Sequence, residues 1–158
     1  MADLHDMRSA APPDDTPVRI KQIGLDQLSV IRRLNQAIFE EERIINTFDR
    51  DDLLMLLAVC RGEPAGFKIG YRLKPDTFYS AKGGVLPDYR RLGIARALLY
   101  EMLDHVREQG YRRFVYDTFP NKHPGMTVLG LAEGFEVVDA GYSPQYSDYR
   151  LRFECALS

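Results

Sequence analysis

Residues 83–99, GGVLPDYRRLGIARALL, carry the decisive signal. A strand-like run is interrupted at Gly83 and Gly84, Pro87 and two arginines follow, and apolar residues then recur at helical spacing. Pro87 has no N–H for a sheet ladder, so the strand releases its neighbour there and the chain turns into a helix beginning near Arg90 or Arg91. Glycine inside a strand marks a bulge or a close backbone approach. Leu92, Ala95, Leu98, Leu99, Met102, Leu103 and Val106 form one apolar face of the helix, and Gly110 stands where a C-terminal glycine stop belongs. Gly93 lacks a Cβ and Ala95 is small, so another molecule can approach the backbone N–H groups of residues 91–96. The first donors of a helix have no acceptor within it and lie at the positive end of its dipole, an arrangement that suits phosphate, with Arg90 and Arg91 adding charge. The alternative is that Gly93 serves packing alone and the arginines are solvated.

Outward from this stretch, strand and helix patterns alternate. Val18–Ile23 (VRIKQI) alternates like a strand, and Leu25, Leu28, Ile31, Leu34 and Ile38 then follow at helical spacing. The segment DRDDLLMLL offers acidic residues at a helix start, after which LLAVCR, GEPAG and FKIGYRL suggest strand, turn and strand. TFYSAKGGVL is a further strand, YRRFVYDTF a buried one, HPGMTVLGLAEG a short helix stopping at Gly134, and FEVVDAGY and DYRLRFECAL are two last strands. The expected fold is α/β in the α+β sense, a mixed, mostly antiparallel sheet of about seven strands with helices on both faces.

The chain of 158 residues, 45% hydrophobic, suits one domain, taken as residues 17–158. Residues 1–16, rich in Pro, Asp and Ala without a signal-peptide core, are expected to be a disordered lead-in. With 21 basic and 23 acidic residues the net charge is −2, which gives no whole-protein field for nucleic acid or membrane. The longest apolar run, LLMLLAVC, is far short of the ~20 residues of a membrane span. Cys60 and Cys155 lack ligand spacing and suit reduced thiols in a cytoplasmic protein. No metal is called for.

The central turn is neither a Walker A loop, which needs Gly-Lys-Ser/Thr, nor a Rossmann fingerprint, which follows a first strand. It resembles the pyrophosphate-binding segment of the GNAT superfamily of N-acetyltransferases, Gln/Arg-x-x-Gly-x-Gly/Ala, here Arg90, Arg91, Leu92, Gly93, Ile94 and Ala95. Val85, Pro87 and Arg90 match the family's lead into that segment, and Asn121 and Gly134-Phe135 match two further features. The resemblance implies that the fourth and fifth strands splay and that acetyl-coenzyme A is the cosubstrate. It places Val85 and Leu86 along the pantetheine arm, Arg90, Arg91, Gly93, Ile94, Ala95 and Arg96 around the phosphates, and Asn121 beside the cofactor. It also implies direct attack by a primary amine of a small molecule or peptide. A homodimer is left open.

Two departures weaken the residue-level mechanism. Many family members use a glutamate on the fourth strand as base, yet no carboxylate follows Asp76 there, and the family's tyrosine acid falls on Gly130. Glu41, in the run Glu40-Glu41-Glu42 at the end of the first helix, and Asp117, on the fifth strand, are the substitute catalytic candidates. The alternatives are a solvated helix end for Glu41 and a salt-bridged acid for Asp117. Tyr79 and Tyr116 are candidate proton donors or core aromatics, and His105 and His123 receive no role. Loss of both usual side chains also suits a coenzyme A-binding sensor without turnover. A longer acyl donor is a further alternative.

Overall fold

The structure, a computed structural model, describes residues 17–158; the lead-in expected for residues 1–16 lies outside the described residues. Seven strands form one mixed sheet: β1 (Val18–Ile23), β2 (Leu54–Cys60), β3 (Glu63–Lys74), β4 (Thr77–Val85), β5 (Arg113–Thr118), β6 (Glu136–Ser143) and β7 (Asp148–Ala156), hydrogen-bonded in the order β1-β2-β3-β4-β5-β7-β6. The helices are α1 (Leu28–Phe39), α2 (Ile94–Glu108) and α3 (Pro124–Ala132), with short 3-10 turns at Leu25–Gln27 and Pro87–Tyr89. The described residues group into two compact units, one running to Ile69 and including Lys82–Met102, the other holding Gly70–Ala81 and Leu103–Ser158.

In the first unit, β1 pairs antiparallel with β2, Val18 opposite Cys60 and Ile23 opposite Met55. Ile31 and Leu34 of α1 pack with Met55, Leu57, Phe67 and Ile69 of the sheet. Leu54, Leu56 and Ala58 alternate with that set and are equally inaccessible, so β2 is buried on both faces. This corrects one expectation: residues 49–53 begin no helix, and the run LLMLLAVC has no polar face for one. Its buried alternation makes it a central strand. A second correction follows at once. The hairpin turn is Arg61-Gly62, both at positive φ (56° and 77°), as a two-residue connection demands, while residues 63–66 already belong to β3. Close approach explains the glycines of β4. A Cβ on Gly83 would stand 2.9 Å from the Phe67 carbonyl, and one on Gly84 would stand 3.0 Å from Ile38 and Phe39.

In the second unit, β4 and β5 run parallel, with residues 77–80 registered against 113–116. β7 pairs antiparallel with both β5 and β6. Phe78, Phe114, Tyr116 and Phe153 build the aromatic core, with Tyr116 stacked on Phe153 at 5.4 Å. α3 is tied to β5 by the Tyr116 hydroxyl, which donates to the Met126 carbonyl at 3.1 Å, and by a Thr127–Thr118 bond of 2.9 Å.

Candidate functional site

The turn before α2 lies wholly in the first unit. Buried Val85 ends β4, and the 3-10 turn at Pro87 redirects the chain. Arg91 (φ 66°) and Gly93 (φ 79°) both take left-handed backbone. That costs a non-glycine residue about 1–2 kcal/mol, so Arg91 is held there by its neighbours. Ile94, 1% exposed, anchors the helix start in the core. The first bond within the helix runs from the Ala97 N–H to the Gly93 carbonyl at 2.9 Å. The N–H groups of Gly93, Ile94 and Ala95 therefore precede any intrahelical acceptor and find no other among the described residues. No acidic residue occupies the first turn of α2, so no carboxylate of that turn neutralises the positive end of its dipole. A Cβ on Gly93 would meet nothing within 4 Å, which leaves open space beside Gly93 at the helix start. Orphan donors, a dipole with no carboxylate in its first turn, arginines and open space fit a pyrophosphate.

The other expected cofactor residues are more constrained. Both backbone groups of Leu86 are used internally: its N–H donates to the Ala65 carbonyl at 2.8 Å and its carbonyl accepts from the Tyr89 N–H at 2.9 Å. Leu86 thus has no spare backbone donor for a pantetheine arm. The Val85 carbonyl accepts from Arg90 Nε at 3.2 Å, which makes Arg90 partly a brace of its own turn. Arg96 lies in the first turn of α2. In the second unit, Asn121 Nδ2 donates to Asp148 Oδ1 at 3.1 Å, and this bond, with the Tyr149 N–H, holds the Asp148 carboxyl below its usual range.

The two candidate carboxylates differ. Asp117, in the second unit, receives four bonds. Arg152 donates from Nε (2.8 Å, to Oδ1) and Nη2 (3.1 Å, to Oδ2), Arg150 donates from Nη1 (3.2 Å, to Oδ1), and the Tyr79 hydroxyl donates to Oδ2 at 3.0 Å. A carboxylate offers about four lone-pair positions, so none is left for an amine proton, and the salt-bridged alternative describes this residue. Burial, then the Asp117 charge, pushes the Tyr79 phenol well above its usual range, which keeps it a neutral donor to Asp117. Arg150 also reaches Asp139 at 2.8 Å. Sequence reasoning missed this cluster. Its signal was the alternation Asp148, Arg150, Arg152, Glu154 along one face of a strand.

Glu41, in the first unit, is 44% exposed and uses only Oε2, which accepts from Lys82 Nζ. Its Oε1 has no partner among the described residues. Lys82, also missed, donates to the Arg43 carbonyl at 2.6 Å and lies 4.7 Å above the Phe39 ring. Burial lowers its ammonium pKa, opposed by Glu41.

A mixed seven-stranded sheet with a parallel β4–β5 pair, its fourth strand leading through an arginine-bearing turn into a helix with a bare N-terminus, is the framework of the acyltransferases that the sequence resembles. The model of the acetyltransferase (GNAT) domain matches residues 32–118, more than half of the chain, and the protein belongs to this family of acetyltransferases. The ribosomal-protein-S18-alanine N-acetyltransferase from Escherichia coli superposes with a TM-score of 0.76 at 17% identity, over 90% of this chain and 95% of its own. An IAA acetyltransferase from Bacillus cereus ATCC 14579 gives 0.77 at 18%, over 89% and 100%. A GNAT family acetyltransferase from Elizabethkingia anophelis with acetyl-CoA bound gives 0.73 at 15%, over 89% and 98%. At such identities the likeness is one of fold. No curated protein matches in sequence.

Proposed function

We propose that the protein is an acetyl-coenzyme A-dependent N-acetyltransferase that moves the acetyl group to a primary amine of a small molecule or peptide by direct attack. The observation that carries this is the bare N-terminus of α2, where the N–H groups of Gly93, Ile94 and Ala95 stand without acceptors among the described residues and the space beside Gly93 is open. Bound acetyl-coenzyme A supplies the activated acetyl thioester. The chain's share is to hold the pyrophosphate on these amides, to add the charge of Arg91, and to receive the amine. Glu41 is the carboxylate with a free oxygen for that amine and its proton, and the acidic run Glu40-Glu41-Glu42 favours a cationic acceptor. Asp117 braces the sheet through its arginines.

The test is a thiol-release assay with acetyl-coenzyme A and a panel of amines. Glu41→Gln is expected to lower kcat/KM by about 10²-fold and to remove the acidic limb of its pH profile. Asp117→Asn is expected to lower stability and keep that limb. An unaltered limb in Glu41→Gln refutes the assignment. A coenzyme A-binding module without turnover is the competing function, favoured by the missing strand glutamate and by Gly130. Tight cofactor binding with no thiol release from any amine would establish it.

A further inference from the structure

The fourteen residues between α1 and β2 have no regular structure, yet their first part is held firmly. Asn35, fully buried on α1, donates through Nδ2 to the carbonyls of Glu41 (2.8 Å) and Arg43 (3.3 Å). Lys82, on β4, grips the same two residues from the sheet through the Glu41 carboxylate and the Arg43 carbonyl. The Lys82 end of this clamp is confined. Lys82 is only 15% exposed at its side chain and sits over Phe39, and the ring of Phe39 fits against β4 because Gly84 has no Cβ. A charged side chain with so little freedom loses little entropy when it pairs, which separates this contact from an ordinary surface ion pair.

We propose that Lys82 is a positioning residue for the acceptor amine, fixing residues 41–43 on β4 so that Glu41 is held by one oxygen and offers the other. This rests on the proposed acetyltransferase function, with Glu41 as the amine's receptor. Because Lys82 cancels one charge, recognition at Glu41 Oε1 is by a directed hydrogen bond, while exposed Glu40 and Glu42 keep the neighbourhood attractive to a cation. The acceptor class that fits is a protonated primary amine, whose bond to Glu41 Oε1 is charge-assisted; a neutral aromatic amine, with a weaker N–H donor, would gain less from the clamp.

The experiment compares Lys82→Met, which keeps the stem and loses the donors, with Lys82→Arg, which restores donors. Tyramine, spermidine and an unblocked tetrapeptide serve as acceptor probes, hydrogen exchange of the amides of residues 40–46 reports the loop, and calorimetry reports acetyl-coenzyme A binding. Lys82→Met is expected to raise KM for the best of these amines about tenfold and to speed exchange in the loop by a similar factor, as for a lost charge-assisted contact. Acetyl-coenzyme A affinity stays within about threefold in both variants, and Lys82→Arg, which keeps the charge and N–H donors, recovers part of the KM. Unchanged exchange overturns the clamp. Faster exchange with unchanged KM overturns the acceptor role while leaving the acetyltransferase function standing. Cofactor binding without turnover in the parent protein overturns both, and the exchange result then still reports the clamp by itself.

Discussion

Gly93 offers the sharpest test of the cofactor site, because conformation and ligand approach make separable demands there. Its φ of 79° is left-handed, and a Cβ would meet nothing within 4 Å, so Gly93→Ala suffers no clash. The folded-state cost is conformational, about 1 kcal/mol, with a small offset from the stiffer unfolded chain. Bound pyrophosphate changes this, since the space beside Gly93 is then occupied and the methyl group pushes the anion off. Loss of one charge-assisted bond of about 1.5–3 kcal/mol corresponds to about 10- to 100-fold in Kd. Gly93→Glu adds a carboxylate: at about 5 Å from a phosphate charge and an effective dielectric of about 20, repulsion adds about 3 kcal/mol per charge pair. Calorimetry of acetyl-coenzyme A binding, alongside urea unfolding of each variant, separates the two costs. The expected order of affinity is parent, Ala, Glu, with a salt-sensitive gap between the last two. A folded Gly93→Glu protein that binds within about threefold of the parent refutes phosphate binding at this turn.

Two further outcomes concern stability. Burial lowers the Lys68 ammonium from 10.5 to about 8, a penalty on the charged form of about 3 kcal/mol. The penalty is full below pH 8 and fades between about 8 and 10.5, where the folded state has released a proton that the unfolded state still holds. Lys68→Met should therefore stabilise the protein at pH 7 and lose that advantage by pH 10.5, as measured by urea unfolding across that range; parallel curves for the two proteins would rule it out. Gly130→Ala would place a Cβ 2.2 Å from the Tyr116 hydroxyl, with an expected loss of about 1–3 kcal/mol. Adding Tyr116→Phe should recover part of that loss in thermal unfolding, and no recovery would locate the clash elsewhere.

What was legible in the sequence was local. The period of Leu98, Leu99, Met102 and Val106 marks α2, the alternation of residues 18–23 marks β1, and the Pro87–Gly93 punctuation marks the strand-to-helix turn, because each depends on neighbours a few positions away. LLMLLAVC misleads for the same reason: a strand buried on both faces and a buried helix segment have the same apolar run, and burial is decided by strands that pair from elsewhere. Register was equally hidden. Asp117 lies opposite Arg152 across 35 positions of sequence, and Lys82 meets Glu41 across 41. A one-residue slip of either strand would turn the charges to the other face. The carboxylate that appeared placed for chemistry therefore proved saturated, and the exposed glutamate proved half-engaged.

The sites of the two family side chains missing here differ physically. At Gly130, where the family's tyrosine would stand, the space is already filled: the Tyr116 ring from β5 stacks on Phe153 and its hydroxyl crosses to the Met126 carbonyl of α3, so even a methyl group at 130 collides with it. A tyrosine on α3 and Tyr116 on β5 exclude one another. Burial raises the Tyr116 phenol above its usual range, which suits a neutral hydroxyl tying helix to strand. β4 itself carries no carboxylate, and its Lys82 binds a glutamate brought in by the loop after α1. A carboxylate built into a strand has its direction fixed by the pleat, whereas one borrowed from a loop is only as well placed as the lysine that holds it. On the proposed function, acceptor binding should thus depend on Lys82 as well as on Glu41, and once Glu41 is replaced by Gln, replacing Lys82 by Met should add little to the loss in kcat/KM.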